Sequence, residues 1–93
     1  MNEDDRIWYR VMFTVRQRSL NTVADDYAEL GSALIARGVP VAPGGTRGRQ
    51  NMHVYEIWCM PRSEVEATWL LLKASNYLVQ TFTSEEKDFM TRF

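Results

Sequence analysis

The chain of 93 residues contains one cysteine, one histidine and three prolines, and its charges nearly cancel. A single cysteine excludes a disulfide-stapled scaffold, because such scaffolds need several cysteine pairs. One histidine without a spaced acidic cluster leaves no pattern of metal ligands. No apolar stretch approaches the roughly 20 residues that a membrane-spanning helix needs, and the acidic start of the chain does not resemble a signal peptide. We therefore expect a cytoplasmic protein with no metal and no membrane segment.

A strong excess of one charge is also missing, since 11 basic residues face 12 acidic ones. Nucleic-acid-binding domains usually have a basic stripe and a high isoelectric point, so we expect no nucleic-acid partner. Hydrophobic residues make up 45% of the chain and charged residues 25%, which is typical of a globular domain. We expect an acidic tail over 1–6 and a single domain over 7–93. A domain of this size buries only about 60–65% of its unfolded surface, which favours an oligomer or a module that binds at its surface.

Residues 7–16 are rich in β-branched and aromatic side chains and predict the first strand. Alternate residues of a strand point to opposite faces of the sheet. One face is uniformly apolar and carries Ile7, Tyr9, Val11, Phe13 and Val15. The other face mixes charge with large apolar groups and carries Trp8, Arg10, Met12, Thr14 and Arg16. We assign the first face to packing against helices.

A helix is predicted next, with Asn21 as its N-cap and Gly38 just after its end. Residues 39–42 predict a short strand at the edge of the sheet, because the proline within them has no N–H group to donate. Residues 52–60 form the clearest strand of the chain. A second helix is predicted over 63–74, with the serine at its start as N-cap.

The last part of the chain allows two interpretations. In the first, residues 77–83 form a strand, and the sequence Thr-Ser-Glu-Glu that begins at Thr83 is a capping box that opens a terminal helix. In the second, residues 76–82 form a short helix and residues 87–93 form the last strand. Local propensity mildly favours the first interpretation.

The element order β-α-β-β-α-β is that of the ferredoxin-like sandwich, an α+β fold with both main helices on one face of a four-stranded, antiparallel or mixed sheet. We expect the first and third strands to lie side by side and parallel at its centre. The face away from the helices then combines the second set of first-strand residues with Met52, Val54, Glu56, Trp58 and Met60. Two tryptophans and several methionines make a patch too large to stay exposed on a monomer. We therefore expect a homodimer that covers it.

Arg10 and Glu56 are the charged members of this apolar face, and they are the candidate catalytic residues. Buried charges are usually paired or functional. On neighbouring strands, Arg10 would hold a ligand anion while Glu56 acts as general base. The alternative is an ion pair that only fixes the register or the dimer interface. The candidate ligand-binding residues, which would line an apolar or aromatic pocket, are Trp8, Met12, Val54, Trp58, Met60 and Met90.

Three further features carry weaker signals. His53 with Tyr55 offers acid–base chemistry, although a lone histidine on a strand is more often structural. Cys59 has no evident base partner and is not expected to be a nucleophile. The loop over 44–49 is rich in glycine and arginine and offers contacts to an anion, but such a loop is more often a simple connection between strands.

Residues Val54–Trp58, followed by the sequence Pro-Arg-Ser-Glu-Val-Glu at 61–66, resemble the dimeric α/β-barrel superfamily. That group includes the antibiotic-biosynthesis monooxygenases and the NIPSNAP-type domains. In the family, a strand that ends in tryptophan leads through a turn to a helix opened by an acidic or polar residue. The resemblance covers about 7–93. The stretch over 75–82 is similar to the family's step into a short helix before the last strand. The resemblance therefore favours the second interpretation of the C-terminus, and we follow it against local propensity.

The resemblance implies a ligand pocket between the sheet and the helices of each protomer, with dimerisation closing the barrel. It does not fix the chemistry, since members of one fold differ in activity. Haem-degrading members use a histidine on the short helix before the last strand, and residues 76–82 contain none, so we expect no haem and no other cofactor. The expected function is a homodimer that binds an apolar or aromatic small molecule, as a cofactor-independent monooxygenase or as a cyclase or isomerase. The alternative is a non-catalytic dimeric binding or accessory module.

Overall fold

Alternating apolar residues build a sheet around the strand β1, Ile7–Phe13. The computed structural model describes residues 7–15, 19–42 and 55–90. In these residues the chain forms an α+β fold with three antiparallel strands and three helices. In chain order the elements are β1 Ile7–Phe13, α1 Leu20–Arg37, β2 Tyr55–Cys59, α2 Glu64–Lys73, β3 Leu78–Thr83 and α3 Ser84–Met90.

The strand β1 is central in an open sheet with the order β2-β1-β3. Both neighbours run antiparallel to it, and Arg10 lies opposite Trp58 on one side and Gln80 on the other. The first and third predicted strands are therefore adjacent, as expected, but the predicted parallel direction is wrong. Val41 and Cys59 pair antiparallel, so the chain reverses its direction between these two residues. Because of this reversal, β2 runs antiparallel to β1.

The predicted strand over 39–42 is reduced to one isolated bridge. The Ala42 N–H donates to the Trp58 carbonyl at 2.8 Å, and the Met60 N–H donates to the Pro40 carbonyl at 2.9 Å. Because proline has no N–H, this segment cannot continue the ladder at position 40. The sheet therefore has three strands in the residues that the structure describes, and the predicted four-stranded sheet is not supported.

The helix α1 begins at a different cap from the one predicted. Ser19, not Asn21, is the N-cap, and its side-chain oxygen accepts a hydrogen bond from the Thr22 N–H at 3.2 Å. Both residue types suit this position, so residue type alone could not distinguish them. The end of the helix is as predicted. Gly38 has a φ of 72°, which glycine adopts without strain, and its N–H donates to the Ile35 carbonyl at 3.0 Å.

The C-terminus follows the first of its two interpretations, with β3 leading directly into α3. Thr83 and Glu86 form the predicted capping box. The Thr83 N–H donates to Glu86 Oε1 at 2.9 Å, and the Glu86 N–H donates to Thr83 Oγ1 at 3.1 Å. The interpretation that the family resemblance favoured, with a helix over 76–82 and a strand beginning at 87, is wrong. Reciprocal capping is a local interaction, and here it decides where the helix starts.

The helices α1 and α2 cover one face of the sheet. Val11 and Phe13 of β1 are buried there together with Ile57 and Cys59 of β2, which confirms the assignment of the uniformly apolar face. The buried cluster consists of Val11, Phe13, Val23, Leu30, Leu34, Val39, Ile57, Cys59, Leu70 and Ala74. No helix in the described part of the chain has the length and the apolar character that crossing a bilayer requires.

Arg62 ties the end of α1 to the start of α2. Its Nη2 donates to the Arg37 carbonyl at 3.0 Å and so satisfies an acceptor at the helix end. Its Nε donates to Glu66 Oε1 at 3.1 Å, and its Nη2 donates to Glu66 Oε2 at 3.0 Å. Ser63 caps α2 as predicted, since its hydroxyl accepts from the Glu66 N–H at 3.2 Å. The hydrogen bonds from Arg62 lower the pKa of Glu66 from its ordinary value of 4.5.

Replacement of the buried Leu34 by alanine should destabilise the fold by about 2–5 kcal/mol, because apolar burial is lost and a cavity remains. The adjacent Ile35 is 74% exposed, so Ile35→Ala is a matched control. The control should change the free energy of unfolding by about 0.5 kcal/mol or less. Urea titration followed by circular dichroism measures both values. Equal effects would contradict the orientation of α1.

The lowered pKa of Glu66 should make stability depend on pH. The folded chain binds the Glu66 proton less tightly than the unfolded chain does. The side chain therefore stabilises the fold above its unfolded pKa, and this contribution is lost as the pH falls through the folded pKa. Glu66→Gln should reduce the loss of stability between about pH 6 and about pH 3.

Urea midpoints over this pH range test the Glu66 prediction. Glu64→Gln is the control, because Glu64 also lies in the first turn of α2. The difference in stability between the unmodified chain and Glu66→Gln should shrink as the solution becomes acidic. A difference that stays constant with pH would show that the Arg62 contact does not depend on the charge of Glu66.

Candidate functional site

The face of the sheet away from α1 and α2 is called the open face here, and the antiparallel register fixes its members. It comprises Trp8, Arg10 and Met12 of β1, Glu56 and Trp58 of β2, and Leu78, Gln80 and Phe82 of β3. Arg10 lies at its centre, since it is the middle residue of the three that β1 contributes. The side chains of both neighbouring strands therefore surround it.

The Arg10 guanidinium contacts one hydrogen-bond acceptor and two aromatic rings. Its Nη2 donates to Gln80 Oε1. Its central carbon lies 5.4 Å from the ring centroid of Trp58 and 5.1 Å from that of Phe82. The two rings are tilted against each other with their centroids 5.1 Å apart. Aromatic faces attract a cation, but Nε is buried without a hydrogen-bond partner among the described residues. Arg10 therefore has donor capacity left.

Glu56 lies beside Arg10 as predicted, but the pair is not bidentate. Glu56 Oε1 is 3.9 Å from Arg10 Nη1, which is too long for a hydrogen bond. Glu56 Oε2 accepts a long hydrogen bond from Trp58 Nε1 at 3.4 Å. The register explains the loose contact, because Glu56 lies opposite Met12, two residues along the strand from Arg10. Both charged side chains are only 14% exposed, so two opposite charges lie together within a largely apolar surface.

The predicted ligand-binding residues of the sheet are less exposed than expected. Trp58 is 4% exposed, and Met12 is half-buried. Trp8 is half-buried as well, and the Lys87 Nζ from α3 lies 4.6 Å from its ring centroid. The single chain thus covers part of the patch that the sequence predicted to need a second copy.

Two of the remaining predicted residues, Met60 and Met90, lie at the margins of the open face. Met60 follows the last residue of β2, and Met90 is the last residue of α3 rather than part of a strand. Val54 lies outside the described residues. Gln80 and Phe82 were not among the predicted site residues, although both contact Arg10. The strand interpretation of their segment contained the signal, because alternate residues of that strand share a face.

A cavity of about 470 Å³ adjoins the open face beside α3. Its described lining consists of Phe82, Glu85, Glu86, Asp88, Phe89 and Met90. The volume is in the range of small-molecule sites. Arg10 and Glu56 are not among these lining residues, so Phe82 is the residue common to the cavity and to the surroundings of Arg10.

The weaker candidates that lie within the described residues do not form a second site. His53 and the loop over 44–49 lie outside the described residues. Tyr55 packs on the helix side of the sheet, where it stacks on Tyr27 with ring centroids 5.2 Å apart. Cys59 is fully buried, and burial, with a smaller effect of Glu66, raises its thiol pKa to about 12. No three histidine, cysteine, aspartate or glutamate residues come together as a metal site in the described ranges.

Comparison of the chain with protein-family models, with curated proteins and with solved structures finds no match. The family resemblance of the sequence therefore rests on its own residues. The functional conclusion has to come from the contacts of the open face.

The Cys59 thiol should be unreactive in the folded chain. Because the thiolate is the reactive form, a pKa of about 12 leaves on the order of one thiolate in ten thousand thiols at pH 8. Alkylation by iodoacetamide, followed by mass spectrometry, should be at least about 100-fold slower in the native chain than in the chain unfolded by urea. Since Cys59 is the only cysteine, equal rates would contradict its burial.

Proposed function

We propose that the chain acts as a homodimer that binds a planar, apolar or aromatic small molecule over the open face and removes a proton from it. Arg10 holds the oxygen on which negative charge develops, and Glu56 accepts the proton. An O–H or an enolisable C–H bond of the ligand breaks, and an O–H bond forms on Glu56. The electron pair stays on the ligand as a phenolate or enolate. The step needs no cofactor.

The incomplete hydrogen bonding of Arg10 is the observation that carries this proposal. A guanidinium offers five N–H donors, and among the described residues Arg10 gives one hydrogen bond, to Gln80. An unpaired buried donor costs about 1–3 kcal/mol, and a ligand oxygen that accepts from Arg10 would recover part of this cost. The rings of Trp58 and Phe82 beside it offer flat apolar surfaces on which a planar ligand can pack.

The carboxylate beside Arg10 favours a ligand that arrives neutral. A permanent anion would meet the negative charge of Glu56, whose Oε1 is 3.9 Å from Arg10 Nη1, and repulsion would offset the attraction to Arg10. A neutral acid that gives its proton to Glu56 removes that repulsion, and Arg10 then faces a single anion. The pair therefore suits weakly acidic phenols and carbonyl compounds better than carboxylates.

The resulting anion leads to the reactions that the family resemblance implies. Return of the proton to a different ligand atom is an isomerisation. Attack of the enolate on a second carbonyl of the ligand is a cyclisation. A monooxygenase reaction would also need O₂ as a co-reactant.

The second copy belongs to the proposal because apolar side chains on and beside the open face remain exposed. Leu78 is 57% exposed on the open face, and Phe89 of α3 is 61% exposed at the cavity. We infer that a second copy covers these side chains, because large exposed apolar patches mark interaction sites. In the proposed barrel the segment over 39–42 takes the place of the fourth strand beside β2, which gives the ferredoxin-like arrangement.

A non-catalytic dimeric binding or accessory module is the second candidate function. Two observations favour it, since Trp58 is nearly fully buried and the described lining of the cavity lacks both Arg10 and Glu56. In that case the charged pair only fixes the register of the two sheets. Transfer of the ligand's proton to Glu56 separates the candidates, because a purely structural pair would not take a proton.

The probe 2-naphthol tests the proposal, because its absorption changes when the hydroxyl ionises. The chain should bind 2-naphthol at pH 7 and should produce the naphtholate band. Arg10→Met should weaken binding by about tenfold or more, since a hydrogen bond to a charged group is lost. Each naphtholate bound by Glu56→Gln should release one proton into a weakly buffered solution, because the proton acceptor is gone, whereas the unmodified chain should keep the proton on Glu56 and release none.

Two controls and a mass measurement complete the test. Arg37→Met also removes one positive charge and one contact between an arginine and a tryptophan ring, because Arg37 lies 4.1 Å from the ring centroid of Trp69 on the helix side. This variant should leave binding unchanged. The neutral ether 2-methoxynaphthalene should give no change in absorption. Light scattering at micromolar concentration should give twice the chain mass of 10.8 kDa. Unchanged binding in folded Arg10→Met, proton release by the unmodified chain on binding or a monomeric mass would contradict the corresponding part of the proposal.

A further inference from the structure

The orientation of the Gln80 side-chain amide follows from its contact with Arg10. An arginine side chain has only donors, so the group that faces Arg10 Nη2 must be the amide oxygen. The amide nitrogen of Gln80, Nε2, then carries two N–H groups on the other arm of the same carbon. The structure shows no hydrogen-bond partner for Nε2 among the described residues, and the side chain is half-buried. Gln80 thus has donors to spare next to Arg10.

We infer that Gln80 positions Arg10 and adds a second donor to the site, so that the site selects planar ligands with two neighbouring oxygen acceptors. Such ligands are 1,3-dicarbonyl compounds and ortho-acyl phenols, whose enolate or phenolate places both oxygens on one edge. Arg10 binds one oxygen and Gln80 Nε2 binds the other. This inference rests on the proposed function and deepens it by naming the ligand class.

The sheet places the two donors together. Gln80 and Arg10 are direct partners in the pairing of β3 with β1, so their side chains start from adjacent points of the open face. The Gln80 amide oxygen accepts from Arg10, and the amide nitrogen can donate to a ligand. The same planar amide therefore fixes the position of its N–H groups relative to the Arg10 guanidinium. A site with unpaired donors discriminates against a ligand that lacks the matching acceptor, because the donor then loses water without gaining a partner.

Two probes and two variants test this inference. 1-Acetyl-2-naphthol presents two neighbouring oxygens, and 2-naphthol presents one. The measured quantity is the ratio of their affinities in fluorescence titrations. Gln80→Glu keeps the acceptor for Arg10 and replaces the N–H donors by an acceptor, while Gln80→Leu removes both. Thr81→Val is the control, because Thr81 is exposed on the same strand and alternates to the other face.

In the unmodified chain, 1-acetyl-2-naphthol should bind about tenfold more tightly than 2-naphthol, as expected for one additional hydrogen bond in a site shielded from water. Both Gln80 variants should lower this ratio toward one, and Thr81→Val should keep it. If both probes bind through Arg10 but the ratio is unchanged in Gln80→Glu, the role of Gln80 is wrong and the proposed function stands. If neither probe binds, or if Arg10→Met binds both probes as the unmodified chain does, the proposed function fails and this inference fails with it.

Discussion

A positive charge in the middle of the central strand sets the arrangement of the open face. The Arg10 side chain is 14% exposed, and transfer of a cation out of water is costly unless other groups replace the water. The neighbouring strands supply two kinds of replacement. Gln80 and Glu56 offer oxygen atoms, while Trp58 and Phe82 offer aromatic faces. The residues that surround Arg10 on the neighbouring strands are therefore of the types that can stabilise its positive charge.

The two faces of β1 show how a short chain divides stability from function. Val11 and Phe13 are buried beneath the helices and belong to the one core cluster. Arg10 and Met12, which alternate with them, lie on the face that α1 and α2 leave uncovered. A chain of 93 residues has little apolar surface to spare. A ligand site on the open face does not require a cavity in the helix-covered core.

Local patterns predicted the parts of the fold that depend on neighbours in sequence. Strand alternation identified both faces of β1, and residue type identified the glycine that ends α1 and the capping box that opens α3. The direction of β2 was predicted wrongly, because strand direction depends on how distant segments pair. Ser19 was missed as the N-cap, because its neighbour Asn21 suits that position equally well.

The candidate site was predictable in the same partial way. Arg10 and Glu56 lie on the predicted face, because alternation within its own strand is enough to assign each residue to a face. Gln80 and Phe82 required the register of β3 against β1. The family resemblance assigned that segment to a helix, and in doing so it removed both residues from the face on which they contact Arg10. The local strand propensity of residues 77–83 was correct, whereas the family resemblance covered more of the chain but was less specific.

Packing alone does not account for the pair of Arg10 and Glu56. The charged contacts that hold the helices have good hydrogen-bond geometry, as in the two bonds from Arg62 to Glu66 at 3.0 and 3.1 Å. On the open face the closest approach of the opposite charges is 3.9 Å, although both side chains are more deeply buried than Arg62. The two side chains lose hydration but form no direct hydrogen bond with each other, so their pairing adds little to stability. A ligand that takes up the remaining donors of Arg10 supplies the missing interaction, and this is the physical reason to look for function on the open face.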